Sequence, residues 1–279
     1  MRQWRLIYDT PTNGAVNMAV DAAILHAVSE GRVPPTLRLY GWNPPCLSLG
    51  YGQRVSDVDL ERLAARGWEI VRRPTGGKAI LHTDELTYSV ALPIQHPLAV
   101  GGVIESYREI SKALVVALRH LGVDPSAERK TETEAMSAVC FETPSHYEIT
   151  VNGKKLVGSA QVRRKDGVLQ HGTLPLYGDI TRICDVLRYE GGEAREAVNR
   201  IVRERATTLE SAQQEMDLSG SFATASEEMW KLAADAVVRG FQDAFGIEFE
   251  AGSLTDDEYE HAAQLREEMF GNEGWIMRR

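Results

Sequence analysis

Asn152-Gly153 separates two strand-like runs, Tyr147 to Val151 and Leu156 to Val162. Such a pair between apolar runs is a strong short-range signal of a β-hairpin, because both residues tolerate the positive φ that a tight turn matched to strand twist requires. It commits the middle of the chain to antiparallel sheet. Lys155 opens the second strand beside the turn, a good place to hold a cation against a bound ligand. A charge at a hairpin end is cheaply solvated, so the lysine is expected to matter to chemistry and little to folding. Upstream, Cys140 follows a stretch rich in Glu and Thr and precedes Pro144, which puts it on a loop. A loop thiol can be reached by a substrate, and its thiolate is the strongest nucleophile among ordinary side chains. A nucleophile with a fixed cation suits acyl chemistry.

Around this hairpin the pattern is strand-rich with flanking helices. Strands are expected at 3–9, 36–42, 46–51, 79–82, 85–92, 168–176 and 247–250, with another ending at Arg72. Val16, Ala19, Val20, Ala23, Ile24 and Ala27 recur at helical spacing, predicting a helix that buries one face and stops at Pro34-Pro35. Ile104, Tyr107, Ile110, Leu114 and Leu118 form the stripe of a helix over 101–121, and further helices are expected at 58–65, 226–245 and 256–269. The fold class is α+β, a mixed β-sheet core flanked by helices. A Ser/Gly-rich linker from about Asp217 separates residues 1–216, read as the catalytic domain, from 217–279, read as a C-terminal helical extension packed on it within one domain overall.

Composition narrows the function classes. A net charge of -9 disfavours general nucleic-acid binding. No apolar run approaches the roughly 20 residues that span a bilayer, and the N-terminus alternates like a strand where a signal peptide would be apolar. Three irregularly spaced cysteines argue against a disulfide framework and for a reducing cytoplasm. Cys46 and Cys184 sit in apolar segments and are expected in the core. The seven histidines form no close ligand cluster, so no metal site is expected. His82 and His171 are candidates for general bases, with a buried structural role at least as common for such residues, and His146 stays unassigned.

A second segment reads Arg72-Arg73-Pro74-Thr75-Gly76-Gly77-Lys78-Ala79-Ile80-Leu81-His82. Paired glycines let backbone approach a ligand, and successive N–H groups can form an anion-binding nest, to which Arg73 and Lys78 would add charge. Alone, Gly-Gly is equally an ordinary turn. No Gly-Lys-Ser/Thr follows at phosphate-loop spacing.

Together with Glu85-Leu-Thr-Tyr-Ser-Val90, Gly153-Lys-Lys155-Leu-Val-Gly158-Ser159-Ala-Gln161, Gly14-Ala-Val-Asn-Met-Ala-Val-Asp21 and Leu169-Gln-His-Gly-Thr-Leu174, this segment closely resembles the lipoate–protein ligase and octanoyltransferase superfamily. Leu265 and Trp275 lie in a pattern similar to this group. The resemblance covers nearly the whole chain. It implies the catalytic-domain fold of biotin and lipoate protein ligases, with a mixed sheet enclosing an acyl tunnel. Lys78 stands where the ligases usually have a third glycine, Thr83-Asp84-Glu85-Leu86 replaces their Asp and Asn after the histidine, and their accessory C-terminal domain is missing in this reading. Ala138-Val-Cys140-Phe is similar instead to the transferases, closest to the LipM-type enzymes that load the glycine cleavage H protein.

The implied reaction moves octanoyl from acyl carrier protein to the lysine of the H protein or another lipoyl domain, with no cofactor. Cys140 would be the nucleophile and Lys155 the oxyanion stabiliser. Arg73, Gly76, Gly77, Lys78 and His82 would line the substrate entrance, with Gly158 and Ser159 opposite. The rivals are an ATP-dependent lipoate ligase, an amidotransferase between lipoyl domains, and a non-catalytic acyl-binding protein.

Overall fold

The computed structural model describes residues 2–128, 148–216 and 226–278. Cys140, His146 and the linker expected from Asp217 lie outside the described residues. The strands are β1 (Gln3–Tyr8), β2 (Thr36–Tyr40), β3 (Cys46–Leu49), β4 (Glu69–Arg72), β5 (Ile80–His82), β6 (Glu85–Pro93), β7 (Pro125–Glu128), β8 (Glu148–Val151), β9 (Lys154–Arg163), β10 (Gly167–Pro175) and β11 (Glu248–Ala251). The helices are α1 (Gly14–Ser29), α2 (Leu60–Ala65), α3 (Val103–His120), α4 (Gly192–Arg205), α5 (Leu209–Glu215), α6 (Ser226–Phe245), α7 (Asp256–Leu265) and α8 (Glu273–Ile276).

Among these residues an eight-stranded sheet runs β11-β1-β2-β6-β10-β9-β8-β7, and a three-stranded sheet runs β4-β3-β5. The large sheet is mixed: β11, β1 and β2 are parallel, and pairing is antiparallel from β2 through to β7. The hairpin read from Asn152-Gly153 forms, with φ of 50° and 76° at the two residues. Both faces of the sheet are covered, so β2 is buried throughout and β6 along all but its last residue.

On one face α3 and α6 cross closely. A Cβ at Gly240 would fall 2.8 Å from Ala117 Cβ, so glycine is what lets the two helices approach. Only the C-terminal part of the predicted α3 stripe is buried; Ile110, Leu114 and Leu118 are covered, whereas Ile104 is exposed beyond the partner helix. The other face is covered by α1, which departs from the one-sided helix expected. Asn17, Met18, Asp21 and Leu25 are buried along with most of the predicted stripe, because α1 is wedged between the sheet and α7. Cys46 and Cys184 are fully buried, as the sequence indicates.

The helices α4 and α5 lack a counterpart in the sequence reading, since α4 buries only Val202 and carries too few apolar residues for a legible stripe. At the C-terminal end, buried Arg72 acts as a strut. Its guanidinium donates to the carbonyls of Gly50, Gln53 and Ile276 at 2.7–2.9 Å, and Trp275 Nε1 donates back to the Arg72 carbonyl at 3.0 Å. No helix among the described residues is long and apolar enough to cross a membrane.

Candidate active site

Lys155 stands in a bulge. Thr150 pairs with Lys155 but Ile149 pairs with Val157, so β9 carries an irregularity just after the turn. In a regular strand residues three apart point to opposite faces, and a bulge re-aims the side chain. Here Lys155 Cε lies 3.6 Å from where a Cβ of Gly158 would be, with Thr173 Cγ2 at 3.9 Å and Ile80 Cδ1 at 4.0 Å from the same point. The missing side chain of Gly158 thus leaves a space flanked by all three. The lysine is not the cheaply solvated cation expected from the sequence. It is 3% exposed and its Nζ pairs with buried Glu148 at 2.9 Å.

The 72–82 segment faces this strand. Gly77 has a φ of 94°, and a Cβ at Gly50 would overlap the Gly77 carbonyl oxygen, so two loops meet at a glycine contact invisible to local patterning. Buried Arg73 binds this turn together, donating to the carbonyls of Ser48, Gly76 and Lys78 at 2.7–3.0 Å and to Ser48 Oγ at 2.8 Å. Gly76 and Gly77 are exposed and Lys78 half-buried, at the rim.

Two carboxylate–histidine–hydroxyl chains run beneath the turn. His171 Nδ1 is 3.2 Å from Asp21 Oδ2, and its Nε2 is 2.8 Å from Thr75 Oγ1. Asp21 also accepts from Arg38 at 2.8 Å and from the Tyr40 hydroxyl at 2.9 Å. Burial alone would raise the Asp21 pKa, but the His171 hydrogen bond and the Arg38 charge outweigh it and hold the carboxyl below its ordinary value. Burial lowers the His171 pKa more than Asp21 raises it. The ring is therefore held neutral, with Nδ1–H donating to Asp21 and Nε2 accepting from Thr75. In the second chain His82 Nδ1 meets Glu85 at 2.8 Å and Nε2 meets Ser48 Oγ at 2.7 Å. Trp42 stacks on the His82 ring with centroids 3.9 Å apart.

The two chains border one largely apolar cleft, walled by Met18, Tyr40, Trp42 and Ile80, with Arg73, His82, Gly158, His171 and Thr173 contributing polar atoms or backbone. Of the residues singled out by sequence, Arg73, His82, Gly158 and His171 meet here, and Lys155 borders the space at Gly158. Ser159 alternates to the other side of the sheet, where its Oγ accepts from Tyr88 at 2.7 Å. Asp21, Arg38, Thr75 and Thr173 were not singled out. An arginine at an inward position of Thr36-Leu-Arg-Leu-Tyr40 is the one local signal that a buried acid had to lie opposite. Such a site can meet a ligand with apolar walls, a cation beside them and two imidazoles in reach.

Comparison with known proteins identifies the family and the fold. Residues 13–228 match the family model of the lipoyl protein ligase A/B catalytic domain. The chain is 44% identical over 286 residues to "Octanoyltransferase LipM" of Kyrpidia tusciae, covering all of both chains. It is 40% identical to the protein of that name in Symbiobacterium thermophilum, over 99% of this chain and 98% of the relative. Among solved structures, a bi-partite lipoate protein ligase from Thermoplasma acidophilum superposes with a TM-score of 0.80 at 24% identity, covering 99% and 97% of the two chains. A lipoate-protein ligase A bound with ATP superposes at 0.77, also at 24% identity, over 99% and 98%. These two matches establish the lipoate-protein-ligase fold.

Proposed function

Since the chain belongs to the lipoyl protein ligase A/B catalytic-domain family, we propose that it transfers octanoyl from acyl carrier protein to a lipoyl-domain lysine through a thioester on Cys140. The chain is an acyltransferase, an octanoyltransferase of protein lipoylation. In the first step the Cys140 thiolate attacks the carrier thioester carbonyl. The bond to the pantetheine sulfur breaks, and that sulfur takes the proton Cys140 gave up. In the second step the neutral acceptor amine attacks the enzyme thioester. The amide forms, the carbon–sulfur bond to Cys140 breaks, and the amine's proton returns to the cysteine. Thioester to amide is downhill, so ATP is not required. The acceptor is the glycine cleavage H protein.

The observation that carries this reading is the buried Lys155 cation held beside Gly158 at the edge of an apolar cleft. An ammonium there stabilises the oxyanion of each tetrahedral intermediate. The acyl chain lies against the apolar walls of this cleft once the cleft widens from its roughly water-sized space. Seven carbons beyond the carbonyl at ~0.8 kcal/mol each give roughly 5 to 6 kcal/mol, enough to favour an eight-carbon chain over a very short one.

The test against the ligase reading omits the carrier. With ATP, Mg²⁺, octanoate and apo acceptor, the protein is expected to leave the acceptor unmodified, and with octanoyl-carrier protein alone to modify it. Acceptor modification by ATP and octanoate that survives Cys140→Ala would overturn the transferase in favour of adenylation.

A further inference from the structure

Thr173 carries a hydroxyl that the rest of the site leaves unused. The residue is 1% exposed, yet its Oγ1 has no hydrogen-bond partner among the described residues. It lies on β10 opposite Gly158 of β9, in the middle of the sheet. Neighbouring hydroxyls are engaged: Thr75 with His171, Ser48 with His82, Thr87 with Glu85 and Trp42, Ser159 with Tyr88. A buried hydroxyl left unpaired opposes folding, and a valine of the same shape would avoid that penalty.

The position of the hydroxyl supplies a reason to keep it. Thr173 walls the apolar cleft together with Ile80 and Gly158. The same Ile80–Thr173 pair also borders a second, more polar cleft on the far side, reached past Thr83, Asp84 and Tyr177. Thr173 therefore stands where the two spaces adjoin. The Gly158 gap is flanked by Lys155 Cε and by the Thr173 methyl, and the hydroxyl branches from the same Cβ as that methyl, so a ligand oxygen beside the gap is the one group both residues could meet.

We infer that the Thr173 hydroxyl is a second oxyanion donor, hydrogen-bonding the acyl carbonyl oxygen alongside Lys155 as that oxygen takes up negative charge. This rests on the octanoyl-transfer reading above. The hydroxyl keeps its proton throughout: it donates a hydrogen bond to the oxyanion and relaxes when the carbonyl reforms. The threonine methyl, on Cγ2, faces Gly158 and stays in place in a valine variant, so shape and chemistry can be separated.

The experiment measures octanoyl transfer from octanoyl-carrier protein for wild type, Thr173→Val and Thr173→Ser, with thermal unfolding of each. Thr173→Val is expected to lower kcat about 10²-fold, the usual loss for one oxyanion donor, with KM changed by less than about threefold. Its Tm is expected to hold or rise by about 2 °C, since an unpaired buried hydroxyl has been removed. Thr173→Ser keeps the donor and is expected to retain kcat within about tenfold. A structural residue would behave otherwise, losing Tm together with activity. Thr173→Val with wild-type kcat, or a kcat loss matched by Thr173→Ser, overturns the assignment. Wild-type protein that moves no octanoyl group removes the transfer reaction itself, and this role with it.

Discussion

The two faces of the eight-stranded sheet are buried to a similar depth with opposite chemistry. Against α3 and α6 the core is mainly hydrocarbon, with Ile110, Leu114, Leu118 and Phe241 packed with Leu86, Val90 and Leu92. Neutral polar groups there, Ser106, Gln161, Gln170, Tyr88 and Ser159, are hydrogen-bonded to one another. Against α1 the sheet buries Asn17, Asp21, Arg38, Tyr40 and His171 in one hydrogen-bonded cluster. Hydrocarbon would stabilise the second face as well, because a buried ion pair repays its desolvation only when every group is satisfied. The buried ionisable cluster lies on the face where the cleft opens, while the α3/α6 face is assigned mainly to stability. Asp21 fixes the His171 tautomer, and the His171 hydrogen bond and the Arg38 charge keep Asp21 ionised.

The largest effect expected from this contrast comes from Asp21→Ala. It leaves the Tyr40 hydroxyl and the His171 N–H without their carboxylate and the Arg38 guanidinium with Asp9 and Asn17 alone, and a loss of about 3–5 kcal/mol of folding free energy is expected in urea unfolding. Stability within about 1 kcal/mol of wild type, the net worth of a single ordinary hydrogen bond, would mean that the cluster is loosely held. Lys155→Ala follows, because it removes a partner of Glu148 as well as the charge proposed to stabilise the oxyanion. Transfer is expected to fall by about 10²–10³. Lys155→Met with Glu148→Gln separates the two effects: it restores folding while leaving transfer low, and recovery of transfer along with stability would remove the lysine from the chemistry.

On the apolar face the expectation reverses. Gly240→Ala forces a methyl against Ala117 and is expected to destabilise by about 1–3 kcal/mol, with kcat per folded molecule unchanged. A change in kcat there would break the division of labour between the faces.

The smallest effect is in pH. His96, against Trp4 on the apolar face, is pushed down to about 4 by burial and, less, by the N-terminal amine. His171 is lowered on the polar face. In both cases the unfolded chain binds the proton more readily. Their contribution is present above the unfolded value of about 6.5 and is lost as pH falls, for His96 down to about 4. His96→Asn keeps an acceptor for the Leu98 N–H but cannot titrate, so stability is expected to fall less steeply between those values. An unchanged slope would put the acid sensitivity elsewhere.

Local chemistry was legible and distant pairing was not. Asn152-Gly153 announces its hairpin because the turn depends on two residues, and the helix over 226–245 forms at the expected residues because its apolar spacing spans many turns. The position of Lys155 was legible but its burial was not, since the bulge and Glu148 belong to the folded sheet. Arg38, at an inward strand position, hints at a buried acid, but nothing local says that the acid is Asp21 until α1 is laid on β2. Gly50 needs the Gly77 carbonyl beside it to have meaning, and Thr173 is marked by the partner it lacks.

The central claim is that octanoyl passes through a thioester on Cys140, and intact mass tests it most directly. Protein incubated with octanoyl-carrier protein, without acceptor, is expected to gain one octanoyl group. Hydroxylamine should remove that group, and Cys140→Ala should never acquire it. An adduct that persists in Cys140→Ala, or acceptor octanoylation at the wild-type rate by that variant, would contradict the account.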